Sequence, residues 1–206
     1  GIATVEITGI GKYTGYKLVN YKILDKSITR CTVAGISDLS YNKKSQLPRV
    51  VVRDGHKVLA EKTDYTVKYA NNKLPGTASV TITGKGNYSG KIVEKFNIVV
   101  APITGLKSSE STTSVKLSWT KKSNITRYQV YTKNSRTRVA NTMRTYATIS
   151  KLKVGKTYSY KVRTYVKIGK KTYYGAFKTL TFTTKPARVT AKKVTSTKSK
   201  EAKVTW

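Results

Sequence analysis

Cysteine, histidine and acidic residues are scarce in this 206-residue chain, which contains one Cys, one His and nine Asp and Glu. Because Cys31 is alone, an intrachain disulfide is excluded. Small domains that animals secrete usually depend on disulfides for their stability. The composition is therefore typical of a cytosolic protein or of an exported bacterial protein that avoids disulfides.

The same scarcity argues against catalysis and metal binding. His56 directly follows an Asp-Gly pair, so we expect it in a solvent-exposed loop. No orienting motif surrounds either partner of a Cys31–His56 nucleophilic pair, and Cys31 suits a small core position. Scattered carboxylates with one His and one Cys do not form a metal-ligand pattern. We predict that the chain is not an enzyme and has no catalytic residue, metal site or cofactor.

Long apolar runs and helical periodicity are also absent. No apolar run approaches the ~20 residues that a membrane-spanning helix needs, so no membrane span is predicted. Residues 25–100 instead contain six or seven short alternating segments with turns every 8–12 residues. This pattern is typical of an antiparallel β-sandwich. Asp54-Gly55 lies between two such segments and predicts a tight hairpin, because Gly tolerates the positive φ of these turns.

A fifteen-residue motif is present twice. Residues 1–15 and 76–90 are identical at nine positions when one is shifted by 75 onto the other. Each copy combines an alternating strand pattern with a glycine-rich turn. Since neither turn precedes a helix, we interpret both as turns and not as nucleotide-binding loops. Self-similarity at a fixed spacing predicts a modular array.

Four segments are predicted from these patterns. Residues 1–24 are the C-terminal part of a truncated repeat, and residues 25–100 are a complete repeat of the same kind. Residues 101–185 are a domain of a second kind. Residues 186–206 begin another domain of that second kind, because positions 203–206 repeat positions 116–119. Short linkers near residues 24–26, 100–102 and 185–187 favour limited bending of the array, and we expect the chain to be a piece of a longer protein.

The second kind of domain has its own signature. An alternating strand ends at Trp119, which we expect to point inward, and another strand covers residues 128–131. Leu152, Gly155 and Tyr158 have the spacing of a tyrosine corner, in which the phenol bonds backwards across one end of a sandwich. On these motifs, residues 101–185 resemble a fibronectin type III domain.

Residues 1–24 and 25–100 resemble the Ig-like repeats of bacterial cell-surface proteins, through the twofold motif and the segment from Asp64 to Tyr69. The two resemblances imply an all-β chain of tandem antiparallel β-sandwiches, Ig-like and fibronectin type III-like, arranged as beads on a rod. They imply a secreted or surface-exposed bacterial protein with a non-enzymatic stalk or adhesion role. The alternative is an accessory region of an enzyme that degrades polysaccharide or peptidoglycan through a catalytic domain outside these residues.

Positive charge is the most extreme feature of the chain, with 41 Lys and Arg and a formal net charge of +32. Residues 101–185 carry nineteen of these cations and one acid, Glu110. Such a balance favours polyanionic partners. One interpretation is a solvated Lys-rich face that keeps a stalk soluble near an anionic wall. The other is binding of an anionic cell-wall polymer or host polysaccharide.

The candidate polyanion contacts are predicted on loops and strand edges of residues 101–185, with two tyrosines as stacking surfaces. They are Lys121, Lys122, Arg127, Lys133, Arg136, Arg138, Lys167, Lys170, Lys171, Tyr173 and Tyr174. We do not expect nucleic acid as the partner, because no helix for the major groove and no aromatic RNA-binding platform is predicted. The other expected partners are neighbouring domains of the same longer chain and, through open strand edges, a second copy.

Overall fold

The computed structural model describes residues 1–188, 193–198 and 201–205. Within them the chain is almost wholly β-structure, which confirms the all-β prediction of antiparallel sandwiches. One turn of 3-10 helix is the only helical element in this described part, and none of it forms a helix long and apolar enough to cross a membrane. The chain divides into two units, residues 1–39 with 43–98 and residues 40–42 with 99–206.

An antiparallel hairpin opens the first unit. Its strands are β1 (Ile2–Thr8) and β2 (Tyr16–Lys22), paired in a register that places Val5 opposite Val19. The turn closes through a 2.9 Å bond from the Gly9 amide to the Gly15 carbonyl. Glycine is required at position 9, because a Cβ there would lie 2.9 Å from the backbone of Tyr13.

Most of the rest of the first unit forms a sandwich, called here the repeat sandwich (residues 26–99, of which 40–42 and 99 are grouped with the second unit). Its strands are β3 (Lys26–Ser27), β4 (Thr32–Ala34), β5 (Leu39–Ser40), β6 (Val51–Asp54), β7 (Lys57–Val58), β8 (Tyr65–Ala70), β9 (Gly76–Gly84), β10 (Tyr88–Ser89) and β11 (Lys91–Val99). One sheet has the order β5-β11-β9-β8 and the other β4-β6-β7, while β3 and β10 form a short parallel pair. Alternate residues of β9 and β6 meet in a core that includes Val52, Val80 and Ile82.

The sequence predicts one first strand of the complete repeat near Ile28–Val33, and this prediction is wrong. The structure instead has β3, a 3-10 helix at Ile28–Arg30 and then β4. Ile28 and Cys31 are three residues apart and both are buried, a spacing that one 3-10 turn satisfies and an extended strand does not. The Cys31 amide bonds to the Ile28 carbonyl at 2.9 Å and completes this turn. Cys31 therefore occupies the core position expected for it.

The Asp54-Gly55 hairpin is confirmed. Strands β6 and β7 pair on either side of it, and Gly55 has a φ of +58°. His56 lies in this turn with its side chain exposed, as the sequence predicts. Asp54 accepts two hydrogen bonds from the Lys26 ammonium, at 2.6 and 2.8 Å, and one from the Tyr88 hydroxyl at 3.0 Å. These bonds join the turn to the β3–β10 pair.

The second unit contains a sandwich, called here the second sandwich (residues 101–185). Its strands are β12 (Lys107–Glu110), β13 (Val115–Ser118), β14 (Arg127–Thr132), β15 (Arg138–Thr142), β16 (Tyr146–Ile149), β17 (Thr157–Ile168), β18 (Lys171–Tyr174) and β19 (Lys178–Thr183). A three-stranded sheet, β12-β13-β16, faces a five-stranded sheet in which β14 and β17 are central, with β15 beyond β14 and both β18 and β19 paired to β17.

The core of the second sandwich matches its predicted signature. Trp119 is buried against Tyr128, with ring centroids 5.2 Å apart. The tyrosine corner is present, because the Tyr158 hydroxyl accepts a 2.8 Å hydrogen bond from the Lys153 amide and Leu152 is buried beside the core. These contacts fix one end of the sandwich.

A last antiparallel hairpin follows, made of β20 (Lys193–Lys198) and β21 (Glu201–Thr205). Trp206, the predicted counterpart of Trp119, lies outside the described residues.

Candidate binding face of the second sandwich

Strand β17 sorts the charged side chains of the second sandwich onto one surface. Side chains alternate between the two faces of a strand, and Val162, Thr164 and Val166 of β17 are buried in the core. Lys161, Arg163, Tyr165 and Lys167 therefore project from the opposite, outer face. Strand β14 adds residues to the same face: Arg127 pairs with Tyr165, Gln129 with Arg163 and Tyr131 with Lys161.

Arg163 lies at the centre of this face among three aromatic rings. Its guanidinium carbon is 3.7 Å from the ring centroid of Tyr174, 4.7 Å from that of Phe177 and 5.3 Å from that of Tyr131. Its Nε donates a 3.0 Å hydrogen bond to the Gln129 side-chain oxygen, and Nη2 donates a 3.4 Å bond to the Tyr131 hydroxyl. We call these five residues the Arg163 cluster. Cation–π contacts and hydrogen bonds together hold the guanidinium in one orientation.

Gln129 is the buried support of the Arg163 cluster. Its side chain is only 5% exposed, and its oxygen also accepts a 3.1 Å hydrogen bond from the Tyr131 hydroxyl. A buried amide oxygen without a hydrogen-bond donor costs free energy of folding. The bonds from Arg163 and Tyr131 to the Gln129 oxygen are therefore favoured. Gln129 thereby positions both the arginine and the tyrosine above it.

A cavity of about 300 Å³ opens beside the cluster. The side chains around it are those of Tyr131, Ser135, Arg136, Lys161, Arg163 and Phe177. Three of these six are cations and none is an acid. The Lys161 ammonium lies 5.1 Å from the ring centroid of Phe177. Within the described residues, no carboxylate forms an ion pair with Arg136, Lys161 or Arg163, so none neutralises this group of cations.

The residues predicted as polyanion contacts divide between two ends of the five-stranded sheet. At one end, the Lys167 amide donates to the Thr126 hydroxyl at 2.9 Å, which joins the β17–β18 turn to the β13–β14 loop. The predicted contacts at this end are Lys121, Lys122, Arg127, Lys167, Lys170 and Lys171. The β14–β15 connection lies at the other end, next to the cavity, and carries Lys133 and Arg136, while Arg138 is the first residue of β15.

The two predicted tyrosines lie on opposite faces of β18. Tyr174 pairs with Tyr165 across the strands and belongs to the Arg163 cluster. Tyr173 pairs with the buried Val166, so it lies on the core side, where the Lys171 ammonium is 5.1 Å from its ring centroid. Of the predicted contacts, the structure brings only Tyr174 and Arg136 next to Arg163 and the cavity.

Sequence reasoning missed the central members of the site: Gln129, Tyr131, Lys161, Arg163 and Phe177. A signal for three of them was present, because alternation along residues 158–167 puts Lys161 and Arg163 on the solvent face, and the same alternation puts Tyr131 on that face of β14. Phe177 lies in the irregular segment between β18 and β19, where no period exists to place it.

Cys31 is buried in the repeat sandwich, and His56 is exposed in the turn after Asp54-Gly55, so neither lies in a catalytic arrangement with the other among the described residues. Burial raises the pKa of the Cys31 thiol, and the nearby Asp54 carboxylate raises it further. A thiol with a raised pKa is a poor nucleophile at neutral pH. No three of the His, Cys, Asp and Glu side chains in the described residues are grouped to hold a metal ion.

The chain is similar to several solved structures at low sequence identity. The crystal structure of FN3tt is 18% identical, with coverage of 42% of this chain and 95% of that chain, and a TM-score of 0.37. Domains A168–A170 from titin are 17% identical over 89% of this chain and 74% of theirs, with a TM-score of 0.36. The chicken CNTN1 FN1–FN3 domains are 12% identical over 89% and 77%, with a TM-score of 0.34.

The family comparison falls on the second sandwich. No curated protein matches the chain. The family model of the fibronectin type III domain matches residues 101–176, which include Gln129, Tyr131, Arg163 and Tyr174. Residues 101–176 are thus a fibronectin type III domain that contains four of the five members of the Arg163 cluster, and Phe177 lies one residue beyond the match.

Proposed function

We propose that this chain is a non-enzymatic module of a secreted or cell-surface bacterial protein that contacts anionic polymers through its fibronectin type III domain. The observation that supports this most is the outer face of the five-stranded sheet. Lys161, Arg163 and Lys167 project from it along one strand, and no carboxylate of the described residues pairs with them. A surface of one sign attracts and concentrates polyions of the other sign.

Solubility alone does not account for the arrangement of these cations. A charge that only keeps a protein soluble needs no fixed position, and a free Arg side chain retains its rotamer entropy. Arg163 is instead fixed by three rings and a buried glutamine. Ordering a donor before the ligand arrives reduces the entropy lost on binding. A guanidinium that is held in place and has no carboxylate partner therefore favours binding of an anionic ligand over a role in solubility alone.

The exported, non-catalytic context is part of the same proposal. Fibronectin type III domains are typically non-catalytic modules. The resemblance of residues 1–100 to Ig-like surface repeats and the single Cys31 fit an exported bacterial stalk or adhesion region. In that setting, the neighbouring polymer would be an anionic wall polymer or a host polysaccharide.

The test is a salt titration of binding to heparin and to teichoic acid with the full chain. We expect affinity to fall linearly on a log–log plot as salt rises, with a loss of at least ~10-fold between about 50 and about 200 mM, because bound cations are released. The site is tested with Arg127→Gln, Lys161→Gln and Lys167→Gln combined. The matched control combines Lys68→Gln, Lys91→Gln and Lys95→Gln, three exposed positions of the repeat sandwich.

Both triple variants lower the net charge equally, so only location distinguishes them. We expect the first to weaken binding ~10-fold or more and the control to weaken it by no more than about twofold. Binding that does not depend on salt would contradict the proposal. Equal losses in the two variants would contradict its assignment to the fibronectin type III domain.

A further inference from the structure

The free N–H groups of Arg163 form an edge suited to a carboxylate. A guanidinium has five N–H donors. In the Arg163 cluster, Nε is used by Gln129 and one Nη2 proton by Tyr131. The two Nη1 protons and the second Nη2 proton have no carboxylate partner in the described residues. Two parallel N–H groups of this kind match the two oxygens of a carboxylate, a geometry that a lysine ammonium does not provide.

Aromatic surface next to this edge is open to solvent. Tyr174 is 50% exposed and Phe177 is 38% exposed. Phe177 and Tyr131 also line the cavity, and their rings meet edge-on with centroids 5.6 Å apart. Aromatic rings provide large apolar contact area at little entropic cost. The C–H face of a pyranose ring packs against such a surface, whereas a chain of glycerol or inorganic phosphates has no ring to place there.

The volume of the cavity indicates how much of a ligand lies inside it. About 300 Å³ is at the lower limit of small-molecule sites. This volume holds about one sugar ring with its hydration, and the next sugars of a polymer would lie outside the cavity. Lys161 and Arg136 lie on its walls, where they can attract the acidic groups of the next sugars along a polymer.

From these three observations we infer that the cavity beside Arg163 binds one carboxylate-bearing sugar residue of an acidic polysaccharide. The inference rests on the proposed function and names the ligand class of the same face. The carboxylate of the sugar bonds to the Nη1–Nη2 edge of Arg163, and the sugar ring packs against Phe177 and Tyr131. Gln129 is a positioning residue that keeps the guanidinium edge directed at the cavity.

The decisive variant is Arg163→Lys, because it keeps the charge and removes the planar pair of donors. Arg144→Lys is the matched control. The Arg144 guanidinium lies 5.7 Å from the ring centroid of Tyr146 and donates a 3.2 Å bond to its hydroxyl, but no buried glutamine and no second ring support it. A second variant, Phe177→Leu, removes a ring from the cavity without changing charge. Chemical denaturation of each variant verifies that it folds.

The dissociation constants of the 206-residue chain are measured for polygalacturonate and for polyphosphate of similar length, at about 50 mM salt. We expect Arg163→Lys to weaken binding of polygalacturonate ~10-fold and Arg144→Lys to change it by less than about twofold. Phe177→Leu should weaken binding of polygalacturonate and leave binding of polyphosphate unchanged. Free galacturonate should compete with the polymer, and free galactose should not.

Each contrary outcome has its own meaning. If Arg163→Lys and Arg144→Lys behave alike while binding remains salt-dependent, the sugar site is wrong and the polyanion proposal stands. If Arg163→Lys and Phe177→Leu weaken polyphosphate and polygalacturonate equally, the cavity recognises anions without recognising a sugar, and the inference is overturned. If the unmodified chain binds neither polymer at low salt, the proposed function itself is wrong.

Discussion

The chain contains the same hairpin twice, and the two copies differ in what covers them. In the first copy Val5 pairs with Val19, and in the second copy Val80 pairs with Glu94, which is the same register shifted by 75 residues. Both turns close alike, by Gly9 to Gly15 at 2.9 Å and by Gly84 to Gly90 at 3.0 Å. The motif alone therefore determines the local structure of the hairpin.

Burial separates the two copies. Ile82 is fully buried and its counterpart Ile7 is 56% exposed. The second copy is faced by the β4-β6-β7 sheet, whose Val52 packs in the same cluster as Ile82. The first copy has no facing sheet among the described residues of its unit. Alternation in a sequence thus shows which side of a strand is apolar. Whether that side is buried depends on a second sheet that packs against it.

The largest expected effect comes from truncating one core residue in each copy. Ile82→Ala should lower the free energy of unfolding by about 2–5 kcal/mol, because it removes buried methyl groups and leaves a cavity. Ile7→Ala should change it by less than about 0.5 kcal/mol, because the side chain is already in water. Urea denaturation followed by tyrosine fluorescence measures both. Similar losses in the two variants would show that something covers the first hairpin in solution.

The glycine that opens each turn provides the next comparison. A Cβ at Gly84 would lie 2.8 Å from the backbone of Tyr88 and Ser89, and one at Gly9 would lie 2.9 Å from that of Tyr13. Gly84→Ala should therefore cost about 1–3 kcal/mol of the free energy of unfolding. Gly9→Ala should loosen the first hairpin without moving the main transition. Amide hydrogen exchange at position 9 and urea denaturation separate these effects, and a shift of the main transition by Gly9→Ala would contradict the distinction.

The same comparison shows how far the sequence alone determines the structure. Strand positions, the Asp54-Gly55 turn and the tyrosine corner at Tyr158 were predictable, because alternation, turn chemistry and one fixed spacing are local signals. The 3-10 turn at Ile28 was not predicted, since short apolar segments fit a strand equally well until their burial is known.

The binding face was predicted only in part, because local sequence signals do not show which distant residues meet. Charge counts identified the fibronectin type III domain as the basic one, and the resemblance motifs identified its fold. The meeting of Arg163 with Phe177 could not be predicted, because Phe177 lies fourteen residues later in an irregular segment. Tyr173 and Tyr174 were grouped together, although adjacent residues of a strand face opposite ways.

A smaller effect is expected at the Lys26–Asp54 ion pair, to which Tyr88 of the second copy adds a hydrogen bond. The hydrogen bonds from Lys26 and then from Tyr88 lower the pKa of Asp54 below its ordinary value. A lowered pKa in the folded state stabilises the fold above the unfolded pKa of about 3.9, and this contribution is lost as pH falls through the folded value. Asp54→Asn should therefore destabilise the repeat sandwich at pH 7 and lose its effect in acid.

Urea denaturation of Asp54→Asn and of the unmodified chain from pH 7 to about pH 2.5 tests this dependence. Glu6→Gln in the first hairpin is the control, because Glu6 is exposed and its carboxylate accepts only a long, 3.4 Å bond from the Thr8 hydroxyl among the described residues. A destabilisation by Asp54→Asn that stays constant down to the lowest pH would show that the charge of Asp54 is not responsible.

The smallest expected effect comes from the tyrosine that both copies share. Tyr88 is 7% exposed and donates to Asp54, whereas its counterpart Tyr13 is 79% exposed. Tyr88→Phe keeps the packed ring and removes only the hydroxyl, so it should destabilise the fold less than Asp54→Asn does, since the Lys26 bonds remain. It should also bring the pKa of Asp54 closer to its ordinary value, so the acid-linked loss of stability becomes smaller and is complete at a higher pH. Tyr13→Phe should change neither quantity. If Tyr88→Phe leaves the pH profile of stability unchanged, the hydroxyl does not contribute to the pKa of Asp54, and the ring alone distinguishes Tyr88 from Tyr13.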